Sequence, residues 1–389
     1  MYSRYIAHRH LSVVYSNLLS SVADRNMKLL LSTLAIAVAT ASATLQVKLS
    51  HIDGTKIRAS ITNIDSKSYN LLSQGSIFDS SPVRKLEVTH GCKYIRITFS
   101  VALIPDAFAA YSAPFHGISK QACGQVNLSQ SAFTPIAAQQ TLEYDVDVVD
   151  LYDLDVGAYN VSLDGYIPYA EEGSTELTGK SLPLLSDQLS LSVNATTSSH
   201  RTELKRNTLQ SDCSSSQSTA VTNANKACAR MATAAAEAAE SGSDSAFQEF
   251  FMDNSQSTRS QVAASFRKVA QECSSTPGGT GTSYCTDQRG ECGGGLLAYT
   301  YWQDLGGDSH VGTTYYCPIY FSTLAPADGG CNDQSQASNT LHETTHAVLA
   351  TRDIAYGLQN VKGLSGSQAL QNADSYTYYA ICESALGCL

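Results

Sequence analysis

The sequence has 389 residues, a mass of 41.5 kDa, 43% hydrophobic residues and 15% charged residues. This length exceeds one ordinary domain, so we expect two domains with a core each, and the composition excludes a disordered or fibrous protein. The formal net charge of −10 argues against a nucleic-acid-binding protein, which needs a basic surface to contact phosphates.

The first distinctive feature is an apolar run over residues 29–39. Met27-Lys28 precede this run and Ala41-Ser42-Ala43 follow it, which is the pattern of a signal peptide over residues 27–43. Residues 1–26 are then an N-terminal extension, left untranslated if synthesis starts at Met27. No later run reaches the roughly 20 apolar residues of a membrane helix, so we expect a secreted, extracellular protein without a membrane partner.

Short runs of alternating apolar and polar residues follow the predicted signal peptide. Separated by Gly, Asn and Asp, such runs predict antiparallel strands and a β-sandwich-like domain. The clearest runs cover residues 45–49, 93–99, 142–146 and 189–193. Cys92 and Cys123 are candidates for a disulfide within this domain.

A dibasic pair, Lys205-Arg206, ends this region inside a polar stretch. Such pairs are processing sites in the secretory pathway, and the composition changes at this one. Residues 207–389 hold 8 basic and 17 acidic residues and nine of the eleven cysteines. We therefore expect cleavage after Arg206, which separates a propeptide domain (residues 44–206, the N-terminal part) from a domain of residues 207–389 (the C-terminal part).

The C-terminal part has a helical pattern interrupted by a Gly-rich, aromatic section. Helices are predicted over residues 219–240, 246–273 (one or two), 341–350 and 367–385, and strands over 297–302 and 315–321. Ser338-Asn339 are expected to cap the third of these helices. The C-terminal part is therefore predicted to be mainly α with a small β-sheet, and the whole chain α+β.

The most informative motif is His342-Glu343-Thr344-Thr345-His346. On a helix, residues i and i+4 share a face, so both imidazoles can bind one Zn²⁺ ion beside Glu343. Zinc lowers the pKa of a bound water, and the glutamate can take its proton and return it to a leaving amine. The motif predicts a zinc peptidase with one Zn²⁺ per chain, in which His342 and His346 are ligands and Glu343 is the general base.

A catalytic zinc site needs a third protein ligand. A metzincin would place glycine and histidine at Leu349 and Arg352, and no histidine follows His346. A thermolysin-like enzyme would have a glutamate about one helix later, but Glu383 stands almost at the C-terminus. An aspartate is therefore implied, and the residues alone leave Asp353 and Asp374 open.

The segment from Thr351 to Gly357, with Asp353-Ile354-Ala355-Tyr356-Gly357, resembles the Asp-x-x-Tyr-Gly motif of the deuterolysins, the fungal aspzincin metalloendopeptidases. Asn372-Ala373-Asp374 resembles their next helix. The resemblance implies a zincin fold for the C-terminal part, with Asp353 as the third ligand and Tyr356 as the group that steadies the oxyanion. Ala350 departs from the glycine of the family motif.

Asp374 is then expected to line the substrate pocket, where a carboxylate favours a basic side chain. In the similar lysine-specific enzymes a second acidic residue stands three positions later, and here that residue is Thr377. We therefore expect a broad peptidase with some preference for basic proteins. Tyr320 is a second candidate for the substrate pocket, although aromatic runs are more often part of a core.

The resemblance also implies three disulfides: Cys213 with Cys285, Cys292 with Cys317, and Cys331 with Cys388. Of the cysteines left over, Cys228 and Cys273 stand on two predicted helices and could pair. Cys382 would then remain unpaired.

These features together predict a secreted, monomeric zinc metalloendopeptidase made as a zymogen. Its partners would be protein and peptide substrates and its own propeptide. The alternative is a secreted binding protein that keeps the zincin scaffold without activity. The intact Glu343 argues against it, because binding alone requires no base beside the metal.

Overall fold

A computed structural model describes residues 44–90, 111–122, 128–196, 209–275, 281–304, 310–326 and 333–384, which belong to one compact unit. Several predictions fall outside these residues. They are the extension and signal peptide (1–43), the strand over 93–99, Cys92, Cys123, the pair Lys205-Arg206, and the Cys331–Cys388 disulfide. Within the described residues, no helix combines the length and the apolar character needed to cross a bilayer.

The described residues of the N-terminal part form twelve β-strands. These are β1 (Leu45–Asp53), β2 (Lys56–Asn63), β3 (Tyr69–Leu72), β4 (Glu87–His90), β5 (Tyr111–Ser112), β6 (His116–Ala122), β7 (Phe133–Ile136), β8 (Thr141–Asp147), β9 (Gly157–Ser162), β10 (Asp164–Glu171), β11 (Leu177–Leu185) and β12 (Leu189–Val193). The predicted strands at 45–49, 142–146 and 189–193 fall within β1, β8 and β12. Short 3-10 helices cover Gln130–Ala132 and Val148–Asp150.

Eleven of these strands form three antiparallel sheets, with strand orders β1-β2-β8, β11-β10-β3-β7 and β12-β9-β4-β5. In β2 every second side chain, including Ile57, Ala59 and Ile61, is buried, which is the period-2 pattern of a strand with one face on a core. Strands β1 and β2 are joined at Gly54, whose φ of +53° suits glycine in a tight hairpin turn. The three sheets contribute to one apolar core.

The C-terminal part contains eight helices and three strands in its described residues. The helices are α1 (Ser215–Ser241), α2 (Asp244–Phe251), α3 (Gln256–Ser274), α4 (Pro318–Thr323), α5 (Gln336–Leu349), α6 (Leu358–Val361), α7 (Gly366–Ala369) and α8 (Ala373–Ser384). The strands are β13 (Thr282–Tyr284), β14 (Leu296–Asp304) and β15 (His310–Tyr316). This mixture of helices and several sheets agrees with the predicted α+β class.

The helix boundaries follow local capping chemistry. Ser214 caps α1 in a capping box with Gln217, and Ser255 caps α3 by accepting from the backbone of Thr258. Alanines and other small residues on the buried face of α1 let it pack closely on α3 and α5. The region 246–273 is two helices, because α2 ends at Met252 in the left-handed conformation.

Three sequence predictions in the C-terminal part need correction. The strand predicted over 315–321 ends at Tyr316, because Pro318 fits the first turn of a helix and begins α4. The helix that carries the histidines begins at Gln336 with Ser335 as its cap, not at Ser338-Asn339. The helix predicted over 367–385 is divided into α7 and α8.

A fourth sheet joins the two parts of the chain. Its strand order is β13-β15-β14-β6, so β6 of the N-terminal part lies at its edge, antiparallel to β14. Trp302 on β14 packs against Phe115, with ring centroids 5.0 Å apart, and belongs to the core of the N-terminal part. The two parts therefore share a sheet and a core.

Three disulfides occur among the described residues: Cys213–Cys285, Cys228–Cys273 and Cys292–Cys317. All three join pairs that were expected from the sequence. Cys382 is unpaired and half-buried. Cys228 lies on α1 and Cys273 on α3, so their disulfide connects the two longest helices among the described residues.

Replacing both Cys228 and Cys273 by alanine should lower the free energy of unfolding by about 2–4 kcal/mol, since the disulfide closes a 45-residue separation. Denaturant unfolding of the folded chain measures this. Cys382→Ala is the control and should change stability much less, because that thiol is unpaired. Equal effects of the two replacements would contradict the stabilising role of the disulfide.

Candidate metal centre

Helix α5 carries His342, Glu343 and His346 in the middle of the C-terminal part. Every residue from Gln336 to Ala347 is buried, including both imidazoles and the carboxylate. Ser335 caps the helix in a capping box with Ser338, which fixes where its first turn begins. The three side chains are therefore held on a rigid, buried helix.

The chain turns back directly after α5. Ala350 ends the helix with φ 54° and ψ 35°, the left-handed conformation that glycine adopts most easily, at the position where the deuterolysin motif has glycine. The backbone of Arg352 then pairs with the segment before α8 through bonds of 2.7 Å to Gln371 and 2.9 Å from Ala373. This turn brings Asp353 to the helix.

Three ligand atoms converge where Asp353 meets the helix. The Nε2 atoms of His342 and His346 lie 3.1 Å apart, and Oδ1 of Asp353 lies 3.1 Å from the first and 3.3 Å from the second. Three atoms bound to one zinc ion at about 2.0–2.1 Å in tetrahedral directions are roughly 3.3 Å apart. The described residues that come together here are therefore a donor set that fits zinc.

The other ring nitrogens are held by hydrogen bonds. Nδ1 of His342 lies 2.8 Å from Oδ1 of Asp374, and Nδ1 of His346 lies 2.9 Å from the carbonyl of Thr351. Each acceptor favours a proton on Nδ1 and leaves the lone pair of Nε2 for a metal. Asp374 therefore orients His342, a candidate ligand, and lies outside the cluster of three candidate ligands.

The ionisable groups of the cluster share one electrostatic environment. Burial lowers the pKa of His342, but its hydrogen bonds with Asp353 and Asp374 outweigh burial and raise the pKa to about 10. Burial raises the pKa of Asp353. The charge of His346 and the hydrogen bonds from both histidines lower this pKa by more, so the net shift is downward. This field favours a cation among the three candidate ligands, and a metal bound there would replace the proton.

Glu343 points one carboxylate oxygen at β14 and leaves the other without a partner. Thr300 donates a hydrogen bond of 2.6 Å to Oε2, whereas Oε1 is buried and has no hydrogen-bond partner. Burial raises the pKa of this carboxyl above its usual value. A buried oxygen with a raised pKa suits a group that takes up a proton near neutral pH.

Tyr356 lies beside His342, with the two rings nearly parallel and their centroids 6.4 Å apart. Its hydroxyl donates to the backbone carbonyl of Lys120 on β6. Burial, together with the charges of Asp353 and Asp374, raises its pKa well above the usual value, so the hydroxyl stays neutral and can donate.

The two predicted pocket residues have different positions. Tyr320 is fully buried in the core of the C-terminal part, where its ring packs on Tyr316 and Phe321, and its hydroxyl lies 3.3 Å from the carbonyl of Gln336. Tyr320 therefore belongs to a core, the alternative that its aromatic run had left open. Asp374, in contrast, contacts a side chain of the N-terminal part, because Gln121 donates a hydrogen bond of 3.4 Å to its carboxylate.

Four residues that shape the centre were not predicted from the sequence to do so. Thr300 donates to Glu343, and Asn339 donates to Gln121, which contacts Asp374. Asn372 accepts from the backbones of residues 354 and 355 and so holds the loop that carries Asp353. Asn372 had a signal, because it begins the Asn-Ala-Asp segment that resembles the deuterolysin helix. The others come from distant strands or a helix face, and no local pattern marks them.

A family model described as the deuterolysin metalloprotease (M35) family matches residues 18–388. The chain belongs to this family. It is therefore a metalloendopeptidase, and the cluster of His342, His346 and Asp353 has the residue types that the family resemblance implies for its metal.

Fungal relatives extend along most of the chain. A neutral protease 2 homologue of Botryotinia fuckeliana is 35% identical over 346 residues, which cover 86% of this chain and 90% of the relative. Neutral protease 2 of Aspergillus oryzae is 33% identical over 362 residues, covering 90% and 95%. The similarity to these deuterolysin relatives includes both parts of the chain.

The third ligand can be tested with paired aspartate variants. Asp353→Asn should lose zinc, whereas Asp374→Asn should keep the site and weaken its zinc affinity by roughly 10–100-fold, because it only orients His342. Zinc affinity is measured by competition with a chelator. The exposed Asp333, replaced by asparagine, is the control. Zinc loss in Asp374→Asn alone would make Asp374 the ligand.

Proposed function

We propose that this deuterolysin is a secreted zinc metalloendopeptidase, synthesised as a zymogen and activated by cleavage after Arg206. The convergence of His342, His346 and Asp353 beside the unpartnered oxygen of Glu343 supports this activity most directly. The cleavage site itself rests on the sequence.

Zinc held by these three ligands would supply Lewis acidity and lower the pKa of a bound water. In the proposed mechanism Oε1 of Glu343 accepts a proton from the attacking water and returns it to the departing amine. The hydrogen bond from Thr300 to Oε2 holds the carboxylate and leaves Oε1 free to accept this proton. The raised pKa of Glu343 suits both steps, because the group must gain and lose a proton within one cycle.

Tyr356 is proposed to donate its hydroxyl proton in a hydrogen bond to the carbonyl oxygen that gains negative charge. A neutral phenol in a buried site can stabilise such an oxyanion without reorganising water. In the zymogen this hydroxyl already donates to a peptide carbonyl, that of Lys120, which is the type of group it would meet in a substrate.

The alternative is a binding protein on the same scaffold that has lost its activity. The arrangement of Glu343 does not favour it. Glu343 is a buried carboxyl group whose pKa is raised by burial, and a binding function gives no reason to keep an ionisable group there.

Secretion and processing complete the proposal. The signal peptide over residues 27–43 directs export, and the disulfides of the C-terminal part suit an oxidising compartment. The mature enzyme would be a monomer of residues 207–389 with 8 basic and 17 acidic residues. This negative charge would favour encounters with basic protein substrates.

Glu343→Gln in the processed enzyme should reduce casein hydrolysis by at least about 10²–10⁴-fold, since the general base is lost. Zinc content should not fall, because the glutamate is not a ligand. Glu237→Gln, at an exposed position on α1, is the matched control and should keep full activity. Hydrolysis that survives in Glu343→Gln would exclude the mechanism proposed here.

Tyr356→Phe should lower kcat by roughly 10²–10³-fold while KM changes little, because its hydrogen bond strengthens in the transition state. Steady-state kinetics on a quenched fluorescent peptide separate the two constants. A rise in KM at constant kcat would instead assign Tyr356 to ground-state binding.

A further inference from the structure

Strand β6 runs past the metal centre. It is antiparallel to β14, with Ser119 opposite Thr300, and Thr300 is the residue that donates to Glu343. The next residues along β6, Lys120 and Gln121, therefore pass the proposed catalytic groups in an extended conformation. An extended chain paired with a sheet edge is also how many proteins bind peptides.

The backbone of Lys120 is hydrogen-bonded to Tyr356, the residue proposed to stabilise the reacting carbonyl. Its carbonyl oxygen accepts from the hydroxyl of Tyr356. Gly75, also in the N-terminal part, lies close to the same hydroxyl, and a Cβ placed there would be 3.2 Å from it. A substrate carbonyl cannot use Tyr356 while the N-terminal part is in this position.

The side chain of Gln121 fills the space next to the centre. It is 1% exposed, its carboxamide oxygen accepts from Asn339, and its nitrogen donates to Oδ1 of Asp374 at 3.4 Å. That oxygen also contacts Nδ1 of His342. The side chain that follows the Tyr356-bound carbonyl is therefore recognised by polar groups of the C-terminal part.

The ammonium group of Lys120 binds both parts of the chain. Its Nζ lies 3.0 Å from Asp79 and 2.7 Å from Ser81 of the N-terminal part, and 2.9 Å from Glu291 of the C-terminal part. Lys120 is 6% exposed, and a buried ammonium requires such partners. Glu291 would remain in the mature enzyme after cleavage.

We propose that β6 inhibits the zymogen as a substrate mimic, with Lys120 and Gln121 in the places of the two residues that flank a cleaved peptide bond. This inference rests on the proposed function. The substrate class that β6 mimics is then an extended segment. It has a basic residue before the cleaved bond, which would pair with Glu291, and a polar residue after it, which would lie beside Asn339 and Asp374.

The test uses the full chain with its processing site removed by Lys205→Ala and Arg206→Ala. Gln121→Glu is then added, because a carboxylate there faces the carboxylate of Asp374 and should displace β6. Gln121→Ala is a milder second variant, and Gln46→Glu, at an exposed position on β1, is the control. Peptide hydrolysis is measured together with hydrogen exchange of the β14 amides and the melting temperature.

We expect the blocked chain to be nearly inactive and Gln121→Glu to raise its activity by about tenfold or more, roughly the effect of losing one hydrogen bond to a charged group. Exchange of the β14 amides should rise in the same variant, and Gln46→Glu should resemble the blocked parent. Processed wild-type enzyme in the same assay tests the proposed function separately.

Two results would overturn the inference while the processed enzyme is active. One is a blocked parent as active as the processed enzyme. The other is unchanged activity and unchanged β14 exchange in both Gln121 variants, each with the melting temperature of the parent.

Discussion

The burial of α5 is the constraint on which the rest of the structure depends. This helix is buried from Gln336 to Ala347, although most of these residues are polar or ionisable. Each buried polar group that lacks a partner costs about 1–3 kcal/mol, so the surroundings must supply partners from several directions. They come from β14 (Thr300), the following loop (Asp353), α8 (Asp374) and β6 (Gln121). The positions of these four elements are therefore coupled through one helix.

Strand β14 links this constraint to the N-terminal part. It has a partner on each side, β15 from its own part and β6 from the other. Without β6, its free edge would present unpaired N–H and C=O groups that readily pair with another extended chain. In the proposed zymogen the same backbone groups first bind the protein's own strand and later bind a substrate. The preference for extended peptides is then a property of the sheet edge, and the side-chain preference comes from groups beside it.

The features that sequence predicted well are local. His342, Glu343 and His346 share a helix face because of their spacing alone, and Asp353 follows only seven residues after His346, so one turn of the chain suffices. The alternating pattern also located β1, β8 and β12. Capping residues were missed, because Ser335 and Ser338 are both plausible caps and the choice depends on the preceding turn.

The features that sequence could not predict are long-range. Strand β6 pairs with β14 although Ser119 and the opposite Thr300 are 181 positions apart (300 − 119), and the register of that pairing depends on which faces are buried after the two parts meet. The role of Asp374 depends on a 2.8 Å contact with His342 on another helix, a distance that no spacing in the sequence encodes. Tyr320 shows the same limit: an aromatic run suits either a substrate pocket or a core, and only the packing of α4 turns this ring into the core.

Removal of the N-terminal part would leave the C-terminal part with fewer contacts than it had when it folded. Trp302 would lose Phe115, and Arg352, next to the ligand Asp353, would lose its 2.8 Å salt bridge to Glu87. The three disulfides of the described residues all lie in the part that would remain. Cys292–Cys317 links the segment just before β14 to the residue just after β15, so it lies at the two strands whose sheet would lose β6. A disulfide raises the free energy of the unfolded chain whether or not the N-terminal part is present, whereas the contacts of β6 would be lost in the proposed cleavage. In the proposed activation the disulfides would therefore continue to stabilise the C-terminal part after the contacts of β6 are lost.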